Sequence, residues 1–195
     1  MQNYTGEITK EKLVEFGLKH FATKEFVAKL VAENRFSEHG SMLTECDELF
    51  ELYENEFPSA LHDKEQTFDM LMNWIPYRIK YIVNDIISEL AYFNSLYRCV
   101  YLPNDFLNNL RNNRESISTD DVGVFWSTRR DTQPFGAENI IPTDVLVKLM
   151  IELNQDSIDW YETLVSRIDY INGEQEQEFR LYGATVIKVQ NFTVY

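Results

Sequence analysis

Three glutamates stand at every second position near the end of the chain: Glu174, Glu176 and Glu178, directly before the apolar Phe179 and Leu181. In an extended segment alternate side chains share a face, so the three carboxylates face one side and the two apolar residues face the other. Like charges on one face repel each other, and solvent screens that repulsion only where the face is open. The pattern predicts either a solvated acidic loop or a site where carboxylates act on a bound group.

An arginine and a pair of hydroxyls mark two earlier segments of the same half. In "SLYRCVYLP", Arg98 lies among apolar residues, where a charge requires an anionic partner because desolvating it alone is costly. That partner is either an internal acid or a bound ligand. In "GVFWSTRRD", Ser127 and Thr128 follow three apolar positions, so we expect their hydroxyls at the end of a strand.

Helical patterns fill the chain up to about residue 93. The segments "TKEKLVEFGLKHF", "TKEFVAKLVAEN" and "TECDELFELYENEF" each begin with Thr at an N-cap position and place apolar residues three and four apart. The longest pattern runs from Asp63 to Phe93, and Pro76 either kinks that helix or divides it in two. We therefore predict a helical region over residues 1–93.

From residue 94 onward, short runs rich in Val, Ile, Tyr and Phe alternate with turn residues, a texture typical of strands. The predicted strands are "LYRCVYL", "VGVFWST", "VLVKLMIEL", "QEFRL" and "TVIKVQNFTVY". Two helices are predicted among them, "PNDFLNNLRNN" and "SIDWYETLVSRIDYI", the latter capped near Ser157. The prediction is an α+β protein, with a helical N-terminal half packed on a mixed, mainly antiparallel β unit over residues 94–195.

The hydrophobic content and the net charge of the chain limit the functions that it can have. The chain has 195 residues, 44% hydrophobic and 14% aromatic, which is enough for a core without disulfides or metal. The formal charge of −14 argues against general binding to nucleic-acid phosphates. An acidic surface either keeps the protein soluble or competes with nucleic acid for the basic groove of another protein.

Targeting signals and metal sites are not predicted. No apolar run reaches the roughly 18 residues that span a bilayer, and the first residues contain no apolar signal core, so we expect a cytoplasmic protein without membrane contact. Cys46 and Cys99 are interpreted as free thiols, and the three histidines show no ligand spacing.

Taken together and in this order, three short motifs resemble those of the mono-ADP-ribosyltransferases of the arginine, serine, glutamate class. The family has an aromatic-Arg pair, here Tyr97-Arg98, and an aromatic residue before Ser-Thr-Ser, here Trp126-Ser127-Thr128. Its Glu-x-Glu before an apolar strand is here Glu176-Gln177-Glu178. Order and spacing are especially similar to the small transferases of T-even-type bacteriophages, and the resemblance covers about half of the chain.

The resemblance implies a split β-sandwich of ADP-ribosyltransferase type and a reaction with NAD. ADP-ribose would pass from NAD to a protein side chain, nicotinamide would leave, and no metal would take part. Glu178 would stabilise the ribose cation, and Ser127 would hold Glu178 and the ribose in position. The residues implied in NAD binding are Arg98, Ser127, Thr128, Tyr97, Trp126 and Phe135.

Glu176 addresses the acceptor in this interpretation. A guanidinium is a poor nucleophile until a carboxylate orients it and takes a proton, and in the family a Glu at this position accompanies arginine acceptors. The implied partner is therefore an arginine of a target protein, and host transcription, translation or defence components are candidates.

Two other interpretations remain open. A noncatalytic acidic protein that mimics nucleic acid would explain the −14 charge but not Arg98 or the ordered motifs. An enzyme of the same fold that only hydrolyses NAD as a toxin would explain the motifs without a protein acceptor. Labelled NAD separates the three, because a mimic leaves it intact and a hydrolase labels no protein.

Overall fold

The secondary structure was obtained from a computed structural model, which describes residues 8–32, 64–112, 117–132, 134–135, 144–169 and 177–195. This part of the chain contains six α-helices and a mainly antiparallel sheet. The α+β prediction is therefore confirmed at the level of fold class. The predicted helix "TECDELFELYENEF" lies outside the described residues.

The helices of the described part are α1 (Lys10–Phe21), α2 (Lys24–Ala32), α3 (Lys64–Tyr92), α4 (Asn104–Asn112), α5 (Thr119–Val122) and α6 (Trp160–Asp169). The strands are β1 (Ser95–Pro103), β2 (Ile117–Ser118), β3 (Phe125–Ser127), β4 (Pro134–Phe135), β5 (Asp144–Glu152), β6 (Glu178–Arg180), β7 (Val186–Ile187) and β8 (Val189–Val194). Each of the five predicted strand segments overlaps an observed strand, and the last contains both β7 and β8.

Threonine caps begin the first two helices, as the sequence predicts. The hydroxyl oxygen of Thr9 accepts from the backbone N–H of Lys12 at 3.4 Å, and that of Thr23 accepts from Phe26 at 3.2 Å. The predicted long helix is continuous, because α3 passes through Pro76 without dividing. Proline lacks a backbone donor, so Pro76 itself donates no intrahelical hydrogen bond.

The helix predicted to be capped near Ser157 begins later, at Trp160. Its cap is Asp159, whose carboxylate accepts from the N–H of Glu162 at 3.1 Å. The backbone before it is tied to the following strand, since Ile158 forms a bridge with Leu181 and Asp159 donates to the carbonyl of Arg180 at 2.7 Å. This tertiary pairing holds the segment extended, and the prediction of a cap near Ser157 was wrong for that reason.

The main sheet has the strand order β6-β3-β1-β5-β8, with β4 also paired to β1. β1 and β5 form its longest ladder, an antiparallel pair over nine residues of each strand. The β1–β4 pair is parallel, whereas β3, β6 and β8 pair in antiparallel fashion. The prediction of a mixed, mainly antiparallel sheet is confirmed. β2 and β7 form a separate two-stranded sheet.

The chain divides into two compact units. One holds all eight strands and, in the described part, comprises residues 88–163 and 177–195. The other comprises residues 8–87 and 164–169. In this helical unit α1 approaches α3 closely, because a Cβ on the buried Gly17 would lie 2.7 Å from Cγ2 of Ile79. Among the described helices, none is both long and apolar enough to cross a membrane.

Candidate functional site

The three strands that carry the predicted motifs are neighbours in the sheet. β1 contains Tyr97 and Arg98, β3 ends at Ser127, and β6 begins at Glu178. Their order in the sheet is β6-β3-β1, although the three motifs are spread over about eighty positions of sequence. Folding therefore brings the motifs side by side.

The register aligns one residue from each of these strands. Tyr97 pairs with Ser127, and Ser127 pairs with Glu178. Residues paired directly across strands project to the same face of a sheet, so the three side chains form one row, called here the Tyr97–Ser127–Glu178 row. All three are buried, with exposures of 8%, 2% and 7%.

Packing on the opposite face explains why Ser127 joins this row. Trp126 pairs with Phe179, both are fully buried, and the ring of Phe179 meets Trp160 edge-on at 6.4 Å. The indole nitrogen of Trp126 also donates to the carbonyl of Gly123 at 3.0 Å. Since side chains alternate along a strand, burying Trp126 in this core directs Ser127 to the other side. Trp126, which the resemblance implies in NAD binding, thus lies away from the row.

Arg98 reaches the backbone of β3. Its Nη1 donates to the carbonyl oxygen of Phe125, and its guanidinium lies against Gly123, where a Cβ would be 2.8 Å from Cζ. Alternation places its side chain on the side of β1 opposite Tyr97. Burial lowers the pKa of Arg98 to about 10, and the negative charge of Glu178 opposes that shift. Arg98 is therefore protonated at neutral pH and interacts electrostatically with Glu178.

Hydrogen bonds link the end of β3 to the start of β6. The hydroxyl of Thr128 donates to Oε1 of Gln177 at 2.7 Å, and the hydroxyl oxygen of Ser127 accepts from the N–H of Arg129 at 3.0 Å. Gln177 is the middle residue of the Glu-x-Glu motif and has a positive φ of 51°. Its amide side chain beside Thr128 was not predicted. The bond connects the second motif directly to the third.

On the same face, two residues from Ser127 and Glu178, a side chain of β3 stacks on one of β6. Phe125 pairs with Arg180, whose guanidinium carbon lies 4.0 Å from the centre of the Phe125 ring. The guanidinium also forms an ion pair with Glu162 at 2.7 Å, and the N–H of Arg180 donates to Thr163. This arrangement ties β6 to α6. The sequence signal that could have indicated it is the spacing of two residues between Glu178 and Arg180.

Other predicted residues are described only in part. Phe135 belongs to β4 and pairs with Val100 of β1, but its side chain lies outside the described residues. Glu176 and Glu174 also lie outside them. Their predicted roles stay predictions.

Two surface cavities are formed by other residues. In the helical unit a groove of about 750 Å³ is lined by Val14, Leu18 and Lys80, among others. In the sheet unit a cavity of about 470 Å³ is lined by residues including Asn154 and Lys188. Neither contains a residue of the Tyr97–Ser127–Glu178 row.

No family model, no curated protein and no solved structure matches this chain. The candidate site is therefore defined by its own contacts: a buried Ser and Glu in register, a buried arginine that interacts electrostatically with that Glu, and two partly exposed aromatic–arginine contacts on the same face.

Proposed function

We propose that this protein is an NAD-dependent mono-ADP-ribosyltransferase that moves ADP-ribose from NAD to an arginine of a target protein and releases nicotinamide. The observation that carries the proposal is the in-register row, which unites one residue from each of the three motifs. We further propose that the main sheet and the β2–β7 pair correspond to the split β-sandwich of such transferases.

The reaction is a glycosyl transfer. The bond between nicotinamide and the ribose C1 breaks with both electrons going to nicotinamide, which leaves as a neutral ring, and the ribose becomes cation-like. A preorganised carboxylate stabilises that developing positive charge most effectively where water is excluded. Glu178 meets this requirement, because it is buried and lies beside Ser127.

Ser127, Thr128 and Arg98 support this carboxylate. Ser127 lies directly across from Glu178. Thr128 donates a hydrogen bond to Gln177, the residue before Glu178. Arg98 leaves β1 on the side opposite the row, and from there its charge acts on Glu178; its planar donor fork is proposed to bind oxygens of the dinucleotide after releasing the carbonyl of Phe125. Tyr97 completes the row, and Phe135 is proposed to stack on the nicotinamide ring.

The acceptor step is assigned to Glu176 on the basis of its position in the motif. Glu176 would orient the guanidinium of the target arginine and take a proton from it while the nitrogen bonds to C1. The partner is thus a protein that presents an exposed arginine, and a host protein in the cytoplasm of a phage-infected cell is the proposed setting.

Three glutamine variants test the proposal. Purified protein is incubated with NAD labelled in its adenosine half, with and without arginine-containing acceptor protein, and both nicotinamide release and protein-bound label are measured. Glu178→Gln should reduce both by about a hundredfold or more, because both pass through the ribose cation. Glu176→Gln should abolish protein labelling and keep much of the nicotinamide release, whereas Glu174→Gln should change little.

Glu152→Gln provides a matched control, because this carboxylate is exposed on β5 of the same sheet. It should retain full activity. Intact NAD with the wild-type protein would contradict the proposal and favour the acidic binding protein. Nicotinamide release without protein-bound label would favour the NAD hydrolase. Equal behaviour of all four variants would refute the assignment of Glu178.

A further inference from the structure

An exposed arginine, Arg130, is fixed against the first residue of the row. Its Nε donates to the hydroxyl oxygen of Tyr97 at 3.1 Å, and its guanidinium carbon lies 5.8 Å from the centre of the Tyr97 ring. Tyr97 itself is 8% exposed, so it is a rigid support. Because Nε is used, the two Nη groups remain as donors for another group.

The ion pairing of Arg130 differs from that of its neighbour Arg129. Arg129 binds Asp131 through two hydrogen bonds of 2.8 and 3.1 Å, an ion pair between exposed side chains. Arg130 forms no ion pair within the part of the chain that the structure describes. The hydrogen bond from Arg129 and, to a smaller extent, the charge of Lys148 lower the pKa of Asp131, whereas no described carboxylate pairs with Arg130.

A second cation lies beside it. Lys148 pairs with Cys99, two residues from Tyr97 on β1, so the three side chains share one face of the sheet. Its ammonium donates to the backbone carbonyl of Arg130 at 3.2 Å and lies 5.6 Å from the centre of the Tyr195 ring. The hydrogen bond to Tyr195 raises the pKa of Lys148, which keeps it charged.

The position of Arg130 and Lys148 relative to Glu178 suits the phosphates of a dinucleotide. Tyr97 and Glu178 are two strands apart, a separation of about 10 Å at the usual strand spacing. A ribose held at Glu178 has its 5′ oxygen, and the phosphates attached to it, directed away from C1. The side chain of Arg130 lies against Tyr97, at the other end of the row, and is long enough to contact those phosphates.

We infer that Arg130 and Lys148 form an anion subsite that binds the diphosphate of the ADP-ribose unit, with Tyr97 as the positioning residue for Arg130. This inference rests on the proposed function for the identity of its ligand. It assigns different roles to two arginines. Arg98 is buried and bonded to the β3 backbone, whereas Arg130 is exposed and can meet a ligand without rearrangement.

Binding without turnover tests the subsite. The affinity of the full-length protein for ADP-ribose is measured by calorimetry, with adenosine as the uncharged probe. Arg130→Gln should weaken ADP-ribose binding roughly ten- to a hundredfold, the usual effect of losing charged hydrogen bonds, and Lys148→Gln should weaken it less. Tyr97→Phe should also weaken it, because the ring remains but Arg130 loses its hydrogen bond.

Arg129→Gln is the matched control. It removes the same charge one residue away, but from a side chain that already forms an ion pair with Asp131. It should change the affinity by less than about threefold. Adenosine affinity should be equal in all variants. If Arg129→Gln and Arg130→Gln weaken ADP-ribose binding equally, the effect is general electrostatics and the subsite is refuted. A wild-type protein that does not bind ADP-ribose at millimolar concentration also refutes it.

Nicotinamide release separates this inference from the proposed function. Arg130→Gln should raise KM for NAD and largely retain kcat, because it removes binding distant from the reacting carbon. If the wild-type protein releases no nicotinamide while Arg130→Gln still loses ADP-ribose affinity, the proposed function fails and the subsite stands. If nicotinamide is released and Arg130→Gln binds ADP-ribose normally, the function stands and the subsite fails.

Discussion

Gly123→Ala tests whether the contact between Arg98 and the turn before β3 is as tight as the structure indicates. Gly123 ends α5 with φ 90° and ψ 162°, a conformation that is essentially restricted to glycine. A Cβ at this position would also lie 2.8 Å from Cζ of Arg98. The substitution therefore strains the backbone and displaces a buried guanidinium.

The expected cost follows from these two effects. A non-glycine residue in such a conformation costs about 1 to 3 kcal/mol. Moving the guanidinium breaks its hydrogen bond to the carbonyl of Phe125, and a hydrogen bond from a charged donor contributes about 1.5 to 3 kcal/mol. The free energy of unfolding should fall by about 2.5 to 6 kcal/mol, which is a large share of the 5 to 15 kcal/mol typical of a domain.

Urea unfolding followed by circular dichroism measures this change, and Gly183→Ala is the control. A Cβ at Gly183 would meet only Oδ1 of Asp120 at 3.7 Å, an ordinary contact, so that variant should stay within about 0.5 kcal/mol of the wild type. Nicotinamide release per folded molecule, measured below the unfolding transition, should fall in Gly123→Ala and not in Gly183→Ala.

A double-mutant cycle with Arg98→Ala isolates the close approach. Without the guanidinium, Gly123→Ala should cost only the backbone strain, so its effect should shrink by the hydrogen-bond contribution. An identical cost in both backgrounds would refute the contact between Gly123 and Arg98. Equal stability of Gly123→Ala and Gly183→Ala would refute the strained conformation as well.

Three further predictions concern single side chains. Gly17→Ala should lower the free energy of unfolding in urea by up to about 2 kcal/mol, because the clash with Ile79 costs about 1 to 3 kcal/mol against a helix-propensity gain of about 1 kcal/mol; a net stabilisation would contradict the close packing of α1 on α3. Burial raises the pKa of Asp85, so folding disfavours its charged form above that pKa, and Asp85→Asn should raise Tm at about pH 7 but not at about pH 3, where both states are protonated. Arg98→Lys keeps the charge but loses the planar fork, so calorimetry should show NAD affinity falling roughly ten- to a hundredfold; a lower Tm with unchanged affinity would assign Arg98 to folding alone.

Local sequence patterns predict much of the secondary structure. Thr9 and Thr23 precede helices because a side-chain oxygen satisfies an N–H of the first turn, and that signal is contained within four residues. The short apolar run of β5 likewise indicates a strand without reference to the rest of the chain. The start of α6 is different, since the pairing of Ile158 with Leu181 delays it, and no local pattern contains that partner.

The sequence alone therefore determines the fold class, the longer strands and the types of residue available for chemistry, because caps and apolar runs act over a few neighbouring positions, whereas the two-residue strands β2 and β4 were not predicted. Only the tertiary structure decides which of these residues meet. Ser127 lies across from Glu178 because β3 and β6 pair in one particular register, and a shift of one residue would reverse the face of every side chain in β6. The contacts of Arg98 with Phe125 and of Arg130 with Tyr97 depend in the same way on strands that are distant in sequence.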